Sequence, residues 1–227
     1  MNHDARATAW HHLRTRQAWL AHMLMNVIGL VGWAGGWILL LGISTRTPNW
    51  VVWFFMPYLI YGPYRVLTQF KYFVAGFLML RILRTYPWMI IADVPRGLSR
   101  RPEVPSKQYG WFEFPNPAHP EQSLPVVFPQ HFRRWWWARR MAPQAKSHLK
   151  ADIATIWFAG DPRFIGLVAA PTRMGKAPRR LHVVEQRIGA QSGWRFADWG
   201  ATPEDIERGR RVGVYPVNPG SAEGSAS

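Results

Sequence analysis

The side chains that could do covalent chemistry are few in this chain. It contains no cysteine, so disulfides, zinc–thiolate sites and cysteine nucleophiles are excluded. His148 and Asp152 stand one helical turn apart, a spacing at which imidazole and carboxylate can pair, most often at a surface. Asp152, Asp161 and Glu185 are the only acids between residues 131 and 187; a fold could bring them together, which spacing alone does not decide. His182, between Leu181 and Val183, reads as a strand residue. His11 and His12 are adjacent, and adjacent residues on a helix do not converge on a metal. Gly175–Lys176 lacks the upstream glycine of a phosphate-binding loop, and Ala177 stands where Ser or Thr would hold magnesium. Neither HExxH nor GxSxG occurs. These residues assign no catalytic site, no cofactor and no metal, and the expectation is a non-enzymatic protein.

Binding chemistry is better represented. His131–Lys150 reads HFRRWWWARRMAPQAKSHLK, with Arg133, Arg134, Arg139 and Arg140 around Trp135, Trp136 and Trp137. As a helix it would be cationic with a broad aromatic surface. Three uses fit: tryptophans at an acyl boundary with arginines on lipid phosphates, arginines on nucleic-acid phosphates with indoles free to stack, or tryptophans in the core of a small domain. Arg179 and Arg180 add to the same charge. Residues 131–187 hold 12 Lys and Arg against three acids, and such a surplus attracts anionic lipid, nucleic acid or an acidic partner. A basic flank that merely fixes membrane topology would look the same.

The elements that must position these residues begin with an apolar hairpin. From Gln17 to Thr45 no residue carries a full charge, and Leu20–Ile43 exceeds the roughly 20 residues needed to span a bilayer. A second apolar run starts at Trp50 and meets its first charge at Arg65. The expected fold is therefore an α+β membrane protein: a transmembrane hairpin, with spans at about 20–43 and 50–67, then a small cytosolic domain with an antiparallel sheet. Gly29, Gly32 and Gly36 lie on one face of the first helix, which His22 and Asn26 extend. This face suits packing on the second helix or a homo-oligomer contact. Pro57 and Pro63 favour kinks in the second helix. Tyr58, Tyr61, Arg65, Thr68 and Tyr72 share a face, with Arg65 placed to snorkel to the far interface. Residues 65–84 either continue that helix or lie along the membrane surface.

The rest follows in order. Residues 1–19 form a polar segment with a short interfacial helix. Residues 85–130 carry nine prolines between Pro87 and Pro129 and read as an extended connection packed along the domain. The basic α+β domain covers 131–217. Within it Ala151–Ala159 fits helix or strand, and Gly160–Asp161–Pro162 is a turn. Arg163–Ala170 and Arg179–Arg187 are strands forming an antiparallel hairpin, and Gly193–Trp199 is a further strand. Thr202 caps a helix over Pro203–Arg211, and Val212–Val217 is a short last strand. Residues 218–227 read as a disordered tail.

Formal net charge is +15, with only Arg46 in the inter-helix loop. The positive-inside rule then puts both termini in the cytoplasm of a bacterial cytoplasmic membrane. The expected role is a membrane-anchored adaptor or assembly subunit that presents a basic domain to a protein partner or to the anionic inner leaflet. A component of a DNA-transfer apparatus and a lipid or cell-envelope enzyme are the alternatives. The layout of two spans followed by a cytosolic module is similar to that of the membrane-anchoring part of conjugative DNA translocases. That resemblance implies contact with nucleic acid, and no motor motif accompanies it.

Overall fold

The structure is a computed structural model, and it describes residues 7–98, 110–129, 135–172, 175, 177–186 and 198–214. The chain divides into two compact units, residues 19–77 and residues 1–18 with 78–227. Its first long elements are α1 (Leu13–Ser44) and α2 (Asn49–Thr85), both long and apolar enough to cross a bilayer by length and composition. Residues 65–84 thus continue the second helix.

Within residues 19–77 the two helices run antiparallel and are joined by polar contacts that cross between them. Pro63 has no N–H to offer the Leu59 carbonyl one turn earlier, so that oxygen loses its helical donor. The Trp37 indole N–H of α1 donates to the same oxygen at 3.0 Å. Gly62 makes room for it: a β-carbon there would come within 2.8 Å of the indole ring. A neighbouring helix thereby repairs the backbone defect that proline creates. Nearer the N-terminus of α1, Asn26 and Gln69 are both buried. Gln69 Nε2 donates to the Asn26 carbonyl at 3.1 Å, and Asn26 Nδ2 donates to the Tyr72 carbonyl at 3.3 Å. The Trp19 indole donates to the Gly76 carbonyl at 2.8 Å.

The three glycines of the expected packing face separate in this arrangement. A β-carbon at Gly29 would meet the Gln69 amide at 2.5 Å, and one at Gly36 would meet the Tyr58 hydroxyl at 2.5 Å. Gly32 faces open space. Tyr58 stacks on Trp33, with centroids 5.1 Å apart, and the Arg65 guanidinium lies over Trp33 and Tyr61. Arg65 therefore leans back along α2 toward Tyr61, as helix side chains do, and not onward toward the C-terminal end of the helix, as snorkelling to a far interface would require.

The second unit is built on a seven-stranded antiparallel sheet with the order β1-β5-β6-β7-β4-β3-β2. Its strands are β1 (Met89–Ala92), β2 (Arg96–Gly97), β3 (Trp111–Pro115), β4 (Ser123–Val127), β5 (Thr155–Asp161), β6 (Ile165–Pro171) and β7 (Pro178–Glu185). The proline-rich stretch, read as a connection, supplies four of these strands. Prolines prevented helix there but not short strands near the sheet margins, where few ladder donors are needed. The ambiguity at 151–159 resolves with a strand from Thr155. The hairpin of the next two strands is present, with Val168 opposite His182 and Leu167 opposite Val183. Strands β5 and β6 are buried almost throughout, which is why they read as continuous apolar runs without alternation.

One sheet face carries Phe112, Phe114, Val126, Ile156, Phe158, Val168 and Val184 in a single core, with Phe128 just beyond β4. Trp137 and Met141 of α3 (Trp135–Met141) close it. On the other face Trp157 meets His12 and Trp88, and the Trp88 indole donates to the Thr15 hydroxyl at 2.9 Å. The single cationic helix expected over 131–150 is two short pieces, α3 and α4 (Ser147–Ala151), on either side of Pro143. The strand expected over Gly193–Trp199 lies mostly outside the described residues. Val212–Val214 is turn and coil, and the remainder of that expected strand is outside them too, as is the tail.

The helix expected over Pro203–Arg211 is present as α5, with a reciprocal capping box between Thr202 and Asp205. It is tied to the β5–β6 turn by the buried Arg163. That guanidinium bonds Asp161 in bidentate fashion, Asp205 at 2.9 Å and the Gly200 carbonyl at 3.0 Å. Burial opposes the Arg163 charge, but the two carboxylates outweigh it and raise its pKa. Burial alone would raise the Asp205 carboxyl. Hydrogen bonds from Thr202 and the charge of Arg163 outweigh that and hold it below the usual carboxylate range. Burial and the nearby Asp161 carboxylate push the Tyr86 hydroxyl well up.

Two expectations follow. Trp37→Phe leaves the Leu59 carbonyl without its cross-helix donor and costs about 1–2 kcal/mol. Pro63→Ala restores the helical donor, so the same tryptophan change costs less in that background. A double-mutant cycle read by denaturant titration of the full chain in micelles measures the coupling, and strict additivity would contradict it. Asp205 titrates below its unfolded value of about 3.9. Its contribution is therefore complete above that value and lost as pH falls through the folded pKa. Asp205→Ala should cost about 2 kcal/mol at neutral pH and flatten the acid limb of a stability–pH profile. Parallel acid limbs for the two proteins would contradict this.

Candidate anion-binding face

Three consecutive tryptophans on a helix point about 100° apart, so they cannot share one environment. Trp137 enters the core against Phe112 and Phe128. Trp135 is 65% exposed, with the Arg139 guanidinium 5.8 Å from its ring. Trp136 lies between the two and is half-buried. The competing uses of these residues thus divide: one tryptophan belongs to the core and two to a surface.

Trp136 is where the candidate cations gather. Arg140, one turn along α3, stacks its guanidinium 3.7 Å from the indole centroid. Arg179 and Arg180 of β7 approach at 5.7 and 5.9 Å. Adjacent residues in a regular strand face opposite ways, so their common approach needs an irregularity. Ala170 pairs with Arg179 while Val168 pairs with His182, which leaves one extra residue on β7. That bulge contains Arg180 at φ 56°, a left-handed conformation that costs a side-chain-bearing residue about 1 kcal/mol or more. Arg179 Nε is fixed by the Pro171 carbonyl at 2.8 Å. Arg140 is fixed by two hydrogen bonds to Asp152, at 2.8 and 3.0 Å. Three guanidiniums around one indole, with one carboxylate engaged at the edge, form a preorganised cationic surface. Arg133 and Arg134 lie outside the described residues.

The residues considered for chemistry do not assemble. The Asp152 carboxylate engages Arg140, not the His148 ring. Asp161 serves Arg163. His182 is buried on the core face against Phe128, with Nδ1 2.9 Å from the Val183 carbonyl. Among the described residues no three His, Asp or Glu side chains group as a metal site. No residue type marks the bulge, because Arg180 is neither Gly nor Asn, the usual occupants of a left-handed position. No protein-family model, curated protein or solved structure matches the chain.

Arg180→Gly removes both a cation and the left-handed strain. It should raise the stability of the full chain by about 1 kcal/mol, seen as a higher melting temperature in detergent, while weakening anion binding. A fall in stability would show that the left-handed residue is not strained.

Proposed function

We propose that the chain is a non-enzymatic membrane-anchored adaptor. Its helical hairpin spans the bilayer, and its basic sheet domain docks on the anionic inner leaflet through the Trp136 face. The observation that carries this reading is the strained bulge at Arg180, which brings Arg179 and Arg180 to the indole that Arg140 already covers. Proteins retain such strain where it positions functional groups. Two further features support the membrane part. The most apolar stretch of α1 has no buried residue, unlike the core helix of a soluble protein. Its Ile28, Val31, Ile38 and Leu39 are exposed in the chain alone. With basic residues outside the inter-helix loop, both termini sit on the cytoplasmic side. On the Trp136 face the indoles enter the headgroup region and the guanidiniums pair with phosphates.

The full chain in nanodiscs tests this by hydrogen exchange. Phosphatidylglycerol discs should protect peptides covering α3 and β7, phosphatidylcholine discs should not, and R179A/R180A should abolish the difference. Equal exchange in the two discs overturns the lipid reading. Protection that appears in phosphatidylcholine discs only when duplex DNA is added, and disappears in high salt, favours the DNA-handling reading instead.

A further inference from the structure

The margin of the sheet at β2 and β3 carries a cleft of about 460 Å³, within the roughly 300–1,000 Å³ range of small-molecule sites. Cations enter it from three separate elements: Arg96 from β2, Arg140 from α3 and Lys150 from α4. Among the described residues that line it, Asp93 is the only carboxylate. The rest of the wall is apolar and includes Trp111 and Met141. Trp111 lies directly across from Gly97, where a β-carbon would come within 2.7 Å of the indole. The glycine is thus what lets the ring lie flat against its neighbour strand as a wall.

The three cations are held before any ligand arrives. Arg96 donates to the Val94 and Lys150 carbonyls, each at 3.3 Å. Lys150 Nζ donates to the Pro143 carbonyl at 2.8 Å, and Arg140 is locked by Asp152. Each retains further N–H groups, since a guanidinium has five and an ammonium three. Bringing three like charges together on a partly desolvated wall is costly in the empty state. Burial disfavours the charged form of Arg96 and lowers its pKa, with Asp93 opposing the shift. Asp93 at the rim has φ 52°, a second left-handed residue that is not glycine.

We infer that this cleft is a binding site for a phosphate ester, whose phosphoryl oxygens meet Arg96, Arg140 and Lys150 and whose organic part lies on Trp111 and Met141. A phosphate offers acceptors in several directions at once, matching donors that converge from three elements, and it carries the charge that compensates them. The cleft shares Arg140 with the Trp136 face, but the inference rests on Arg96, Lys150 and Trp111, which that face does not use. The same chemistry is available from a soluble phosphate ester and from a lipid headgroup.

The experiment separates these sources. The full chain in phosphatidylcholine nanodiscs is titrated with sn-glycerol 3-phosphate by calorimetry, and hydrogen exchange is followed at the cleft peptides, 93–98 and 147–151. Binding of the soluble ester with protection there assigns a free phosphate ester. Protection that appears only in phosphatidylglycerol discs, without added ester, assigns a headgroup. In either case Arg96→Ala and Lys150→Ala should each weaken the effect about tenfold, the loss of one charge-assisted contact. Arg210→Ala, an exposed cation on α5, should leave it unchanged. Lys150→Ala removes an exposed side chain, so it keeps the test meaningful if Arg96→Ala disturbs β2. Absence of protection with both ester and anionic lipid, or protection indifferent to both cleft variants, overturns the assignment.

Discussion

Acid is scarce in this chain, and much of its structure follows from that. Residues 5–92 contain no Asp or Glu, and the whole sequence sets 13 acids against 28 Lys and Arg. Salt bridges cannot be the general way to hold its arginines. Indole faces and carbonyl oxygens take over that task. Arg16 and Arg84 lie over Trp10, Arg65 over Trp33, Arg139 over Trp135, and three arginines surround Trp136. An indole quadrupole orients a guanidinium without cancelling its charge, so the cations are fixed in place but still attract anions. The abundance of tryptophan and the positive charge are two sides of one arrangement.

Three acids of the second unit hold its buried and half-buried arginines. Asp161 and Asp205 hold Arg163, the most buried ion pair described, and Asp152 holds Arg140. Breaking such a pair costs far more than its net contribution, because it strands the remaining charge. The result is a rigid turn between β5 and β6 to which α5 is tied, and a sheet whose basic rim remains available.

Much of this could be read from residue types. The length of the apolar runs marked two long helices, RFIGLVAA and RRLHVVEQR marked the two strands of a hairpin while the segment before them fitted helix as well as strand, and Thr202-Pro203 with early acids marked the last helix. What could not be read depended on partners distant in sequence. Four strands were hidden among prolines because each is short, and two of them reach the rest of the sheet across a long separation: Ile91 pairs with Ile156 and Val127 with Glu185. Breakage of the tryptophan helix at Pro143 was legible but outweighed by the run of aromatics before it. The cationic face was legible in its composition, yet its assembly rests on one extra residue in β7 that no propensity marks. Arg96 went unnoticed because its surroundings looked like linker.

The hairpin contacts have a mechanical consequence. Trp19, Asn26 and Trp37 are pinned to carbonyls of the facing helix over 18 residues of α1, about 27 Å of its length. Trp37 also sits in a notch that only Gly62 provides. A shift of one helix along the other would break all three bonds together and drive the indole into a neighbouring side chain. Within this unit a piston stroke is therefore closed as a means of carrying a signal, and the pair can move only as one rigid lever.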